Sequence, residues 1–350
     1  MTRWVPHEYF KEGQRLGFNK GYLSCLVDHG RAIQEKNTPV IFTLSHLAHC
    51  SRTLYSDLHA YIAIKVPTKD FPYRHFPIKK RSGGTRWISV PDPPLWAAQA
   101  WISRNILRNI APHNCSTAYA PGCSPKKNAE IHCGSTWLLK LDVENFFGNI
   151  SERQVFHVFR KQNYPPLLSF EMARLCTKFG KHVSDKRVGK GCKSKRWKPS
   201  QKGYAVEEYQ RDWVGVLPQG APSSPMLSNL VAYDMDEELY QLATKERATY
   251  TRYADDLIFS FLEMDREKLV EFKKKAIAIV RKQGFPINSR KSKIIPPGAR
   301  KLVTGLVVND STPKIRKEVR DKIRAHLFYS KKFGVSQHCT KRGFSRPLKN

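Results

Sequence analysis

The chain of 350 residues is long enough for one large domain or two small ones, with a core that needs no disulfides. A hydrophobic share of 40% and an aromatic share of 11% exclude a disordered chain. Sixty-one Lys and Arg against 30 Asp and Glu leave a net charge of +31, which points to a polyanion as the partner. The opening residues Met1 to Glu8 lack the apolar segment of a signal peptide, and no run of about 18 apolar residues occurs, so no membrane span is expected. Eight cysteines without a C-x-x-C pair suggest neither a zinc ribbon nor a disulfide framework, and fit reduced thiols in a cytoplasm.

The first 60 residues read as helical. His46 and His49 raise the idea of a metal site, but ligands three apart need partners that the neighbourhood lacks, and two histidines on a helix face is the plainer reading. From Arg74 to Val90, short apolar runs flank Lys79-Lys80-Arg81-Ser82-Gly83-Gly84, predicting a hairpin whose tip carries cations. A helix is expected from Pro94 to Ile110. Trp137 to Leu141 reads as a buried strand ending in Asp142, and Ser151-x-x-Gln154 is a capping box for a helix through Lys161. Between Lys181 and Lys202, nine Lys and Arg stand against one Asp, the composition of an exposed basic insertion that extends to about residue 216. From Pro225, apolar residues at 227, 230, 231, 235, 239 and 242 predict one long amphipathic helix. Thr249 to Phe261 reads as two strands joined by an acidic turn at Asp255-Asp256.

That turn is the centre of the chemistry. Adjacent acids are common in surface turns, but here strand residues on both sides would hold the carboxylates rigidly. Asp142, at the end of another strand, supplies a further acid. Carboxylates from two neighbouring strands can clamp two hard cations that activate a hydroxyl and stabilise a departing pyrophosphate, so nucleotidyl transfer is the reaction class expected.

Three stretches then resemble the central motifs of reverse transcriptases, in the right order: Leu141-Asp142-Val143-Glu144-Asn145-Phe146-Phe147, Leu217-Pro218-Gln219-Gly220 and Tyr253-Ala254-Asp255-Asp256. The continuation Ala221-Pro222-Ser223-Ser224-Pro225, with Leu227 and Asn229, is similar to the bacterial retron branch. So are Asn128-Ala129-Glu130-Ile131-His132 ahead of the first Asp and Val303-Thr304-Gly305 beyond the last motif. The resemblance covers roughly residues 70 to 328, apart from the insertion.

It implies an α+β right-hand polymerase: fingers and palm over residues 1–309, with an antiparallel palm sheet and packed helices, and a short basic thumb and tail over 310–350. Asp142, Asp255 and Asp256 would be catalytic and, with Val143, would hold two Mg²⁺ ions. Phe147 matches the aromatic position under the incoming sugar, where a ring leaves no room for a 2′-hydroxyl. Lys80 and Arg86 match the cations that grip the dNTP triphosphate, with Lys79 and Arg81 as alternatives to Lys80. Gln219 and Gly220 match the loop beside the nascent base pair. Gly284, Asn288 and Lys291 resemble the next palm motif, whose lysine would protonate pyrophosphate. Asn128, His132, Val303, Thr304 and Gly305 would recognise or position the cognate RNA.

The helix after this last motif places Ile315, Val319, Ile323 and Leu327 on one face with cations around them, which suits docking along a template–primer duplex. After about Tyr329 only a basic tail is expected, a shorter thumb than retron enzymes usually carry. The implied function is RNA-directed DNA synthesis on a structured non-coding RNA in the bacterial cytoplasm. Priming from an RNA 2′-hydroxyl would make branched RNA–DNA (msDNA), in antiphage defence beside an effector protein. Two rivals remain: an intron-encoded or diversity-generating reverse transcriptase, and a non-catalytic RNA-binding scaffold.

Overall fold

The computed structural model describes residues 4–63, 72–79, 83–178 and 215–341. The N-terminal part is helical, as expected: α1 (Pro6–Arg15), α2 (Lys20–Glu35), α3 (Leu44–Ser51) and α4 (Tyr55–Ala63). Asn19 caps α2 and Thr43 caps α3 through their side-chain oxygens. The hairpin follows as β1 (Tyr73–Lys79) and β2 (Thr85–Pro91), in register from Tyr73–Pro91 to Lys79–Thr85. Its glycines Gly83 and Gly84 take φ of 85° and 81°, a region costly for any side chain. Lys80 and Arg81 lie outside the described residues. Helix α5 (Pro93–Asn105) stops short of the expected Ile110, because at Ile106 the chain tightens into a 3₁₀ turn over Leu107–Asn109.

The central sheet has four antiparallel strands in the order β4 (Thr249–Tyr253), β5 (Asp256–Phe261), β3 (Trp137–Asp142) and β6 (Lys293–Ile295). Leu138, Leu139 and Leu141 on β3, and Leu257, Ile258 and Phe259 on β5, are fully enclosed. Both central strands are therefore covered on both faces, which is why they read as apolar runs rather than as alternation. The short helix α6 (Pro125–Glu130) comes before β3. Beyond β3 comes α7 (Glu152–Arg160), started by the complete Ser151–Gln154 capping box, and then α8 (Pro166–Cys176).

The basic stretch 181–202 lies outside the described residues. Its flanks are fixed, since Lys178 and Val216 exchange both backbone hydrogen bonds at 2.9 Å and Val216 also bridges Ser151. Gly215 and Val216, assigned to the insertion on composition, are thus packed beside the start of α7 and the end of α8.

The expected single helix from Pro225 is two, α9 (Ser224–Val231) and α10 (Tyr233–Lys245), broken at Ala232 with ψ near 2°. The break lets the apolar residues of both pieces face the core, where Leu227, Met235 and Leu239 are buried. Helix α11 (Arg266–Lys282) follows β5.

A smaller sheet joins β7 (Leu302–Val303), β8 (Leu306–Val307) and β9 (Lys314–Ile315). Ile315 is therefore in a strand, not on the helix face predicted for it, and the expected boundary at 309/310 falls inside this sheet. The last long helix, α12 (Lys317–Phe333), buries none of its residues. A second helix, α13 (Val335–Lys341), follows where only a tail was expected, joined through a His326–His338 hydrogen bond of 2.8 Å and stacking of Tyr329 on His338. Among the described residues, no helix is long and apolar enough to cross a membrane.

Candidate active site

The register of the central sheet places Asp142, the last residue of β3, directly opposite Asp256, the first of β5. Asp255 sits in the two-residue turn that joins β4 to β5, where Tyr253 pairs with Asp256. The Val143 amide donates to the Asp255 carbonyl at 2.9 Å, so the two strand ends are tied together at the acids themselves. The turn needs Ala254 at φ 56°, an unfavourable conformation for a residue with a Cβ.

A buried arginine holds that turn. Arg252 is completely enclosed and reaches Asp236, also enclosed, through Nε at 2.8 Å and Nη2 at 2.7 Å. Its Nη1 donates to Asn229 Oδ1 at 3.1 Å and to the Ala254 carbonyl at 3.3 Å, and the Tyr250 hydroxyl donates to Asp236 at 2.8 Å. Asn229 was part of the sequence motif, but nothing in the sequence linked Arg252 to Asp236.

The three acids differ in their surroundings. Lys291 Nζ lies 3.2 Å from both oxygens of Asp142, and Lys140 Nζ lies 3.0 Å from Asp256. Among the described residues, no cation pairs with Asp255. Burial pushes the Asp142 carboxyl above its usual range, against the opposing pull of Lys291. Burial also raises Asp255, with the charges of Asp256 and Asp142 adding to it. Mutual repulsion of this kind is offset by a cation. No group of three His, Cys, Asp or Glu among the described residues forms a ready cage.

The loop of residues 217–220 closes the site from the fingers side. The Ser89 amide on β2 donates to the Gln219 carbonyl at 2.7 Å. Gly220, at φ 113°, leaves no space for a side chain, since a Cβ there would come within 2.6 Å of Ile88 Cγ2 and 3.1 Å of the Ser89 carbonyl. Arg86, opposite Ile78 in the hairpin, is exposed. The Asn288 amide donates to the Asp142 carbonyl at 2.8 Å, which brings the segment carrying Lys291 alongside the first acid. Ser292 contributes its hydroxyl as acceptor for the Asp142 amide at 3.2 Å.

Phe147 begins a 3₁₀ turn and is half-buried, with Phe146 edge-on at 5.8 Å on its core side. Tyr119, which the sequence reading did not single out, lies 6.2 Å from Phe147. It has φ 67°, and the Ala120 amide closes back on the Ala118 carbonyl at 2.8 Å. A bulky residue at such a φ costs on the order of 1–3 kcal/mol. Burial pushes the Tyr119 phenol up to about 12; Asp255 and Tyr253 add to this and Arg252 and Arg86 oppose it, although 43% of the residue remains exposed.

The expected RNA-recognition residues divide. Asn128 and His132 are wholly buried beneath the sheet. His132 bonds Ser260 and Thr251 at 2.7 Å each, and Thr251 donates to Asn128 at 2.6 Å. Burial lowers the His132 pKa to about 4, so the ring is neutral. With both His132 ring nitrogens and Asn128 Oδ1 turned inward onto β4 and β5, burial leaves these two side chains the second of the roles expected of them, positioning rather than direct recognition of the RNA. Val303 is also buried, in a small cluster with Ala129, Leu138, Ile258 and Val308. Thr304 and Gly305 form the two-residue tip of the β7–β8 hairpin, at φ 47° and 88°, and the Thr304 hydroxyl donates to the Pro125 carbonyl at 2.6 Å. Of the five, the tip alone reaches the surface, and it is docked on α6, so the two motifs are packed against each other.

Comparison with known proteins accords with this geometry. The family described as reverse transcriptase (RNA-dependent DNA polymerase) matches residues 78–302. The retron Ec86 reverse transcriptase of Escherichia coli is 30% identical over 298 residues, covering 84% of this chain and 80% of that protein. The retron Ec73 reverse transcriptase of Escherichia coli is 31% identical over 265 residues, covering 73% of this chain and 75% of that protein. The retron Mx162 reverse transcriptase of Myxococcus xanthus is 30% identical over 281 residues, 74% of this chain but 53% of that protein, so the chain spans about half the length of this relative. A solved telomerase structure from Candida albicans is similar at 12% identity and TM-score 0.42, over 80% of this chain and 55% of that one. With the three acids at adjoining strand ends and its relatives drawn from one branch, the chain belongs to the retron reverse transcriptases, RNA-directed DNA polymerases of α+β right-hand fold.

Proposed function

We propose that this chain copies a cognate structured non-coding RNA into DNA, starting from a 2′-hydroxyl of that RNA, and so makes msDNA. The observation that carries the reading is the pairing of Asp142 with Asp256, beside Asp255, in a chain whose relatives are retron enzymes. Asp142, Asp255 and Asp256, with the Val143 carbonyl, would hold two Mg²⁺ ions, which supply Lewis-acid activation of the attacking hydroxyl and charge neutralisation on the phosphates.

The reaction forms a bond from the attacking oxygen to the α-phosphorus and breaks the bond to pyrophosphate, with the proton of the hydroxyl lost to solvent or a base. Lys291, held beside Asp142, would give a proton to the departing pyrophosphate. Arg86 would grip the triphosphate, with Lys80 as its expected companion. Gln219 is anchored to β2 through its carbonyl, which leaves its amide available to the nascent base pair. Phe147 lies under the incoming sugar and excludes a 2′-hydroxyl. The +31 charge suits a nucleic-acid partner, and the exposed cations of α12 suit a template–primer duplex. A role in antiphage defence beside an effector protein is part of this proposal and rests on the resemblance to the retron branch alone.

The test is to purify the chain from cells that carry its neighbouring genomic DNA and to analyse the bound nucleic acid. The reading expects RNA with single-stranded DNA attached covalently through a 2′ linkage that debranching enzyme releases. Bound RNA with no attached DNA, from cells in which the enzyme is active on an annealed primer, would refute 2′ priming.

A further inference from the structure

We propose that Tyr119 is a specificity-determining positioning residue: its ring braces Phe147 on the cleft side and so sets how strictly the site rejects ribonucleotides. The inference rests on the reading of Phe147 as the ring beneath the incoming sugar.

Phe147 is held between two rings of different kinds. On the inner side stands Phe146, which packs on Phe285 at 5.4 Å within the core. On the outer side stands Tyr119, tilted by 54° at 6.2 Å and 43% exposed. A tyrosine that merely filled the core would be enclosed. This one packs on Phe147 and leaves the rest of its ring exposed, within electrostatic reach of Asp255 on the acidic turn and of Arg86 on the hairpin. Removing it would give Phe147 free volume on the side where discrimination takes place.

The backbone under Tyr119 is built to hold that pose. The tight turn closed from Ala120 to Ala118 puts a large side chain at φ 67°, which free peptides avoid. Asn229 Nδ2 donates to the Ala118 carbonyl at 2.7 Å and fixes the turn from below. The preceding Thr117 donates to the Arg252 carbonyl through its amide at 2.8 Å and its hydroxyl at 3.0 Å. Ser116 bridges the same residue. Tyr119 is therefore tied, through Ser116 and Thr117, to the strand that leads into the Asp255 turn. Strain kept at an exposed residue beside the acidic turn is the pattern expected of a functional position rather than of a filler.

The experiment compares single-nucleotide incorporation of dNTP and rNTP on an annealed DNA primer and RNA template by the full chain. The variants are Tyr119→Asn, Tyr119→Phe, Phe147→Ala and the double variant Tyr119→Asn/Phe147→Ala. Asparagine tolerates φ above zero, so Tyr119→Asn removes the ring while sparing the turn. Tyr119→Asn should lower the dNTP preference by about three- to tenfold, mainly through a lower KM for rNTP, with kcat for dNTP largely kept. Tyr119→Phe should keep the wild-type preference. The double variant should match Phe147→Ala alone, because Tyr119 acts through that ring. If Phe147→Ala lowers the preference and Tyr119→Asn leaves it unchanged, the inference fails while the reading of Phe147 stands. A loss in Tyr119→Phe as large as in Tyr119→Asn, or additive losses in the double variant, would overturn bracing in favour of a direct contact by the hydroxyl. If Phe147→Ala leaves the preference intact, the reading of Phe147 falls and the bracing role with it.

Discussion

Replacing Arg252 with methionine isolates what holds the acidic turn. The guanidinium makes three bonds to Asp236, at 2.8, 3.0 and 2.7 Å, and one each to Asn229 and the Ala254 carbonyl, with no solvent on either charged partner. Methionine fills much of the volume but leaves the Asp236 carboxylate buried with the Tyr250 hydroxyl as its remaining donor. Breaking a buried pair from one side costs about 3–5 kcal/mol, because the other charge is stranded. At about 2–4 °C per kcal/mol, and toward the lower figure for a chain of this size, Tm should fall by roughly 10 °C. Removing both charges, as in Arg252→Met with Asp236→Leu, should recover part of the loss, since no stranded charge remains. Polymerase activity should stay low in the double variant, because Ala254 and Asn229 still lack their donor. Differential scanning fluorimetry gives the Tm values and primer extension the activity. A single variant within about 2 °C of wild type, or a double variant that loses the sum of the two single losses, would refute the argument.

Stability should also depend on His132. Its folded pKa near 4 lies below the unfolded value near 6.5, so the unfolded chain takes up a proton first as pH falls. This contribution is complete above pH 6.5 and is lost progressively toward pH 4, by up to about 3 kcal/mol. His132→Asn should flatten that part of the urea-melt pH profile, and an unchanged profile would refute the assignment. Gly220→Ala should drop kcat/KM for dNTP by roughly 10–100-fold, because the new Cβ meets Ile88 and the Ser89 carbonyl and displaces the loop. Steady-state kinetics at wild-type levels would show that the close approach is not needed.

Much of the site could be read from the sequence because its acids sit in short, ordered motifs flanked by apolar strands. The capping box at Ser151 and the turn at Asp255 are local signals, and the structure has both where local chemistry puts them. What the sequence hid depends on distant partners. Asn128 and His132 looked available because polar residues usually are, but their partners Thr251 and Ser260 lie more than a hundred positions away. The buried pair of Arg252 and Asp236 and the pairing of Lys140 with Asp256 were missed for the same reason. Tyr119 carried one unused signal, an aromatic residue two positions before Pro121-Gly122, but its approach to Phe147 is purely tertiary. The break at Ala232 was invisible because apolar spacing continues across it while the helix axis turns.

Asp142 and Asp255 are proposed to perform nucleotidyl transfer on an RNA template, and primer extension in Mg²⁺ measures that step. Asp142→Asn and Asp255→Asn each keep the shape of the side chain and remove the charge. Each should cut the rate of DNA synthesis on an RNA template by about a thousandfold or more, while the melting temperature and RNA affinity stay near wild type. A folded Asp255→Asn protein that extends the primer at close to the wild-type rate would contradict the account.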